Sequence, residues 1–375
     1  MSSNEPQENR IDQETNSVRS CVTRSPRILI SAPYSTEIAS TRIRASYFSD
    51  FCKSKNISVR FITALDSVST RWWLSGGSNR LLALPSIVKS IITSLVAVRR
   101  SDCIVVQREC VPLNFLLIEK FAIRRGIPLI WDIDDALWHN DCGRLSWLRG
   151  SKSKYQWLAR YASATWTGST VSKQWISQSA TQPVYYVPTA LPTQQRLERV
   201  QRKEVTLVWV GTPSAAPNLE RLVNRIGERL KGFQLIVVGA QIISPKSMNV
   251  ECIPWSLESE HRVLSEASVG IYPMEQSDFN DGKSAGKAVL YMTYGIPQVA
   301  SISPPLLEVL SKSEAAFIVR SDDDWINALE ILKDPLVRLA MGEKGRAYAE
   351  ENFNILQWSE WRLASLELIL SKHKR

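Results

Sequence analysis

Short apolar runs alternate with longer amphipathic stretches along almost the whole chain. In the first half the runs are residues 27–32 (RILISA), 59–63 (VRFIT), 102–107 (DCIVVQ), 128–131 (PLIW), 164–168 (ATWTG) and 184–187 (VYYV). In the second half they are residues 205–210 (VTLVWV), 233–239 (FQLIVVG), 250–253, 269–273 (VGIYP), 296–300 and 315–319. Continuous apolar runs of this length are what strands covered on both faces require. Helical spacing fills the intervals: through Tyr47, Phe48, Phe51 and Cys52, over 112–125 with Gly126 as a stop, and from Val171. It returns over 219–230, 258–266, 288–294, 322–332, 335–352 and 355–372. Strands alternating with helices throughout predict an α/β chain built on doubly wound parallel sheets.

A chain of 375 residues is long for one core, so two Rossmann-like domains are expected. The polar stretch 194–204 is the natural linker. The expected division is a polar, disordered tail (1–25), a first domain (26–193), a second domain (205–354) and a last helix (355–375). The tail has no apolar segment of the kind a signal peptide carries. The most apolar long stretch, 81–98, is interrupted by Pro85, Ser86, Lys89, Ser90, Thr93 and Ser94. It falls short of the ~20 mostly apolar residues of a membrane span. It reads as an amphipathic helix, with core packing expected ahead of a place on a membrane surface.

Charge and cysteine usage narrow the partners. The formal net charge of +9 favours anionic ones: phosphorylated small molecules, anionic lipid or nucleic acid. No basic stripe interleaved with aromatics appears, which disfavours nucleic acid. The six cysteines form no CxxC pair and no Cys/His cluster, so neither zinc nor a disulfide framework is indicated and a reducing, cytoplasmic setting is expected. No GxGxxG follows the first strand, against a dinucleotide fingerprint.

Three places along the chain carry candidate chemistry. Residues 281–301 read DGKSAGKAVLYMTYGIPQVAS, with Lys283, Ser284 and Lys287 among small residues just ahead of a helix. Free N–H groups, helix dipole and ammonium charge there suit a phosphate. Gly211, Thr212, Pro213 and Ser214 follow the first strand of the second domain and suit a phosphate or its sugar. In the first domain, Asp132, Asp134 and Asp135 crowd the end of a strand. Like charges so placed need a cationic or hydrogen-bonding partner. They read either as an acid/base or sugar-hydroxyl site or as helix caps, and nothing in the pattern specifies a metal. Arg42, Arg44 and Arg108 stand at strand ends as anion contacts, and Trp138 is the tryptophan expected to meet a ligand.

The runs VWVGTPSAAPNLERL, VGIYPM and above all GKSAGKAVLYMTYGIPQVAS resemble GT-B-fold glycosyltransferases of the group 1 (family four) type, notably bacterial polysaccharide biosynthesis enzymes with a similar Asp-Ile-Asp-Asp run. The resemblance implies a GT-B chain, with an acceptor domain and a nucleotide-sugar domain facing a cleft, a final helix crossing back to the first domain, and retaining transfer. It implies donor contacts from Gly211, Thr212, Pro213, Ser214, Lys283, Ser284, Lys287 and Tyr291. Asp134 and Asp135 become the catalytic carboxylates; Arg42, Arg44, Arg108, Asp132 and Trp138 become acceptor or anion contacts. The nucleotide sugar is a co-substrate and no metal or other cofactor is expected. The acceptor is a glycan or is lipid-linked, and the basic charge adds an expectation of peripheral contact with an anionic membrane at its inner face. Where those enzymes show a Glu-x7-Glu pattern, this chain has Gly282 and Leu290. The loop 212–218 also lacks their Arg and Lys, leaving Lys283 and Lys287 to supply the charge. These departures favour the alternative, a degenerate GT-B protein that binds a sugar nucleotide or a partner without catalysis.

Overall fold

The apolar runs form two parallel six-stranded sheets in the computed structural model, which describes residues 25–139, 152–194 and 205–373. Nearly all of the expected tail and linker lie outside the described residues. The chain divides into unit 1, the described residues up to Pro188 with those from Leu356 on, and unit 2, Thr189–Ile355. Unit 1 contains β1 (Arg27–Ala32), β2 (Ser58–Thr63), β3 (Cys103–Gln107), β4 (Leu129–Ile133), β5 (Ala164–Thr167) and β6 (Val184–Tyr186), in the order β2-β1-β3-β4-β5-β6. Unit 2 contains β7 (Val205–Val210), β8 (Phe233–Val238), β9 (Asn249–Ile253), β10 (Val269–Tyr272), β11 (Gln298–Ser301) and β12 (Ala316–Val319), in the order β12-β11-β10-β7-β8-β9. Helices cover both faces of such sheets, which is why β3, β4 and β5 are buried at every residue.

Helix boundaries depart from the sequence pattern for local reasons. The helix expected from 112 begins at Leu117. Ahead of it, the Cys110 N–H donates to Glu119 Oε1 at 2.8 Å and Lys154 donates to the Leu113 carbonyl, so side chains satisfy backbone groups that a helix would otherwise occupy. The first helix of unit 2 starts early, at Ala216, because Pro217 in its first turn needs no N–H partner. The stretch expected to pack in the core forms Asn79–Leu82 and Leu84–Val98 and does so on one face only. Ile87, Ala97 and Val98 are buried, whereas Val88 and Ile92 are more than half exposed.

The last helix, Ile355–His373, places Leu366 and Leu370 in the core of unit 1 beside Ile28, Ile30, Phe48 and Trp166. It also brings Arg362 to a buried ion network. Asp132, at 0% exposure, accepts from Arg44 Nε at 2.8 Å and from Arg362 Nη2 at 2.6 Å. The Arg362 guanidinium packs against both Phe48 and Trp166, 4.2 and 4.6 Å from the ring centroids, and donates to the Arg44 carbonyl.

Removing one member of a buried charge network strands the others without solvation, at a cost of about 3–5 kcal/mol. Arg362→Ala is therefore expected to destabilise unit 1 by about that amount in urea unfolding. Arg27→Ala, which breaks the half-exposed pair with Asp102, is expected to cost far less in the same assay.

Candidate functional site

In unit 2 the chain runs from β7 through β8 to β9 on one side, then returns to β10 on the other side of β7. Ligand crevices open at the carboxyl ends of strands at such a reversal. The loops leaving β7 and β10 carry the Gly211–Ser214 and Lys283–Lys287 residues, so the topology brings the two loops to one sheet edge. The reversal is pinned by Tyr291. A Cβ on Gly270 of β10 would come within 2.5 Å of the Tyr291 ring, so only glycine lets that ring cross the strand. Its hydroxyl receives the Val210 N–H at 3.2 Å and donates to the Val208 carbonyl at 3.3 Å. At 0% exposure, with its hydroxyl committed to β7, Tyr291 does not face a donor as expected from the sequence; it fixes the strand from which the first loop departs.

Beyond that strand, Thr212, Pro213 and Ser214 are exposed, and the Thr212 and Ser214 hydroxyls bond each other at 2.9 Å. Gly211 has no room for a side chain: a Cβ there would lie 2.4 Å from the Trp209 ring. That ring forms the floor beneath Lys287, whose Nζ stands 4.2 Å from the Trp209 centroid and 4.7 Å from that of Tyr272. Ring faces attract an ammonium but do not neutralise it. Burial, and secondarily the positive charge of Lys283, bring Lys287 down from the ordinary 10.5 to about 7. Among the described residues no carboxylate forms an ion pair with Lys287. Lys283 lies 4.5 Å over the Phe279 ring and donates to Asn280 Oδ1 at 2.9 Å. Asn280 is itself fixed by Ser277, which caps the Asp278–Asp281 turn, and by its own bond to the Glu275 carbonyl. Ser284 accepts from the Thr189 hydroxyl at 3.0 Å. Trp209, Tyr272 and Asn280 were not singled out in the sequence, although Ser277-x-x-Asn280 is a visible cap spacing.

Unit 1 reverses between β1 and β3, and its polar cluster lies at the ends of β3 and β4. Arg108 holds a φ of +62°, unusual for a residue with a side chain, as the Glu109 N–H folds back to the Gln107 carbonyl. The turn is held by the Arg108 N–H on the Asp132 carbonyl and by Trp131 Nε1 on the Arg108 carbonyl. The Arg108 guanidinium pairs with Asp135 and stands 3.9 Å from Asp134 Oδ1. Asp134 is 6% exposed, and among the described residues its Oδ1 has no hydrogen-bond partner. Burial, then the charge of Asp135, push it up to about 6 against the pull of Arg108 and Arg44. A buried carboxyl titrating there can hold or release a proton near neutral pH.

Four residues expected as ligand contacts in unit 1 are structural instead. Asp132 and Arg44 neutralise each other inside the ion network described above, and Arg44 also donates to the Val187 carbonyl. Trp138 is 4% exposed because it stacks on Trp175 with centroids 3.9 Å apart. Arg42 braces the loop after β1 through the Thr36 and Glu37 carbonyls. Among the described residues no group of three His, Cys, Asp or Glu side chains is arranged to hold a metal ion.

No family model matches the sequence, and no curated protein matches it. Solved structures do match the fold. The chain is similar to sucrose-phosphate synthase from Thermosynechococcus elongatus, at a TM-score of 0.66 and 12% identity over 93% of this chain and 100% of that one. It is similar to a glycosyltransferase from Rickettsia africae, at 0.67 and 9% over 92% and 99%. It is also similar to Anabaena HepE, solved in complex with UDP and glucose, at 0.63 and 12% over 91% and 99%. The fold is therefore GT-B, as the sequence motifs implied.

The Lys287 environment has a measurable consequence. Between about 7 and 10.5 the unfolded chain carries a proton on this lysine that the folded chain lacks, so stability rises with pH across that window. Relative to Lys287→Met, wild type is expected to gain up to about 1.4 kcal/mol per pH unit in urea unfolding between pH 7 and 10.

Proposed function

We propose that this protein is a glycosyltransferase, with unit 2 holding a nucleotide-sugar donor and unit 1 serving a glycan or lipid-linked acceptor. The observation that carries the proposal is Lys287, an ammonium group at the sheet reversal of unit 2 that rests on the Trp209 and Tyr272 rings beside Lys283, with no carboxylate paired to it among the described residues. A cation held in that way is prepared for an anion that arrives from outside. The solved complex of HepE with UDP and glucose, on the same fold, makes a nucleoside diphosphate the natural anion.

In this reading the bond between the sugar anomeric carbon and the phosphate oxygen breaks, and negative charge grows on the departing diphosphate. Lys283 and Lys287 stabilise that charge as it develops. The exposed Thr212 and Ser214 hydroxyls approach the sugar phosphate, and the Gly211 backbone passes close because no side chain intervenes. The sugar takes on oxocarbenium character, for which a carboxylate nearby is stabilising. Asp134, with its raised affinity for a proton, and Asp135, oriented by Arg108, are the carboxylates for the sugar or acceptor, and retention of anomeric configuration is proposed.

A thermal-shift panel of UDP, GDP, dTDP, CDP and their sugars, with NAD and a short DNA as controls, tests the donor site. One nucleoside diphosphate class is expected to stabilise the protein, and Lys283→Ala with Lys287→Ala to abolish that shift. Asp134→Asn and Asp135→Asn are expected to keep the shift but reduce transfer by about 10² or more. An unchanged shift in the lysine variants would contradict the donor site. Binding with no transfer by the wild type would point to a degenerate binding protein.

A further inference from the structure

Among the described residues, nineteen large apolar side chains are exposed, and nine of them fall between Val68 and Val96. Such concentration in one short stretch marks a surface for something other than water. The stretch holds the helix Ser67–Ser75, the turn Asn79–Leu82 and the helix Leu84–Val98. Leu84, Val88, Ile92 and Val96 recur every four residues and so form one stripe. Leu81, Leu84, Val88 and Ile92 line a single shallow groove that also contains Lys89. Trp72 and Leu74, 37% and 55% exposed, extend the apolar surface contributed by this stretch.

Charge defines the partner. Residues 67–101 contain Arg71, Arg80, Lys89, Arg99 and Arg100 and not one Asp or Glu. Lys89, Arg99 and Arg100 are exposed, and Lys89 stands within the apolar groove itself. An isologous pairing of two copies would set these cations against one another. A surface that offers hydrocarbon beneath a plane of negative charge satisfies both features together. The segment Asn79–Val98 is 20 residues long and contains an 18-residue window of mean hydropathy 2.0, enough by length and composition to cross a membrane. Its inner face, however, is part of the unit 1 core through Ala83, Ile87, Ala97 and Val98, so only the outer stripe is available to lipid.

We infer that this face of unit 1 docks on an anionic lipid bilayer, lying in the plane of its surface. Leu81, Leu84, Val88 and Ile92 enter the boundary between headgroups and acyl chains, Trp72 sits at the headgroup level, and Lys89 and Arg100 meet lipid phosphates. The inference rests on this surface and is independent of the donor-site reading.

Flotation of the full chain with vesicles of phosphatidylcholine alone, or of phosphatidylcholine mixed with phosphatidylglycerol, is the test. The protein is expected to float with the mixed vesicles and to be released by alkaline carbonate. Val88→Asp and Ile92→Asp alter exposed positions and are expected to keep wild-type circular dichroism and nucleotide response. Each is expected to reduce vesicle partition about tenfold or more. Lys89→Glu and Arg100→Glu are expected to lower the preference for the anionic vesicles about fivefold each. Equal flotation of wild type and the Val88 and Ile92 variants, or no flotation of wild type, would overturn the inference. Retention through carbonate would replace surface docking with a spanning helix. A lipid-free dimer by light scattering that Val88→Asp dissolves would assign the face to a second copy instead.

Discussion

The carboxylate of Asp132, enclosed by Arg44 and Arg362, is the interaction on which unit 1 depends. A charge at 0% exposure is tolerable only when its partners are close and their remaining donors are also used. Here Arg44 spends a donor on the Val187 carbonyl, and Arg362 spends one on the Arg44 carbonyl and packs against the Phe48 and Trp166 rings. The network joins β4, the helix that follows β1, the end of β6 and the final helix. Because it fixes the end of β4, it also fixes the departure point of Asp134 and Asp135. One Asp of the run is thereby structural, and the following two are left at the edge of the sheet beside Arg108.

The electrostatics of the two units are opposite in kind. In unit 1, Asp132 and Asp135 are paired with guanidinium groups from within the same unit, and Asp134, whose Oδ1 has no hydrogen-bond partner among the described residues, responds by holding a proton more tightly. In unit 2 the two lysines are met by ring faces and an amide oxygen. Lys287 there has no carboxylate paired to it among the described residues, and it responds by releasing its proton more easily. Both responses bring a buried group toward the neutral range, where a bound anion or a reacting sugar can shift it.

The strands were legible because parallel strands buried on both faces leave continuous apolar runs, and β1 and β7 coincide with those runs to the residue. Helix starts were less so, since Glu119 and Lys154, distant in sequence from the groups they satisfy, decide where the Leu117–Arg124 helix begins. The lysine loop and the glycine loop were visible as small residues between a strand and a helix. Asp132, Arg44, Trp138 and Tyr291 were assigned to ligands because the residue types that bind substrates also make buried networks and stacks. Only the three-dimensional pairing of Arg362 with Asp132, or of Tyr291 with the backbone of β7, separates the two uses. The helix Leu84–Val98 shows the same limit, since its periodicity gives two apolar faces and cannot tell which one the core takes.

The central claim is that Lys283 and Lys287 form an anion site held ready for a nucleoside diphosphate. It is tested most directly by titration calorimetry with UDP, GDP, dTDP and CDP at pH 8 in buffers of different ionisation enthalpy. A diphosphate seated against Lys287 restores its affinity for a proton, so binding is expected to take up close to one proton. That uptake is expected to vanish in Lys287→Met. Diphosphate binding without proton uptake, or uptake unchanged in Lys287→Met, would contradict the account.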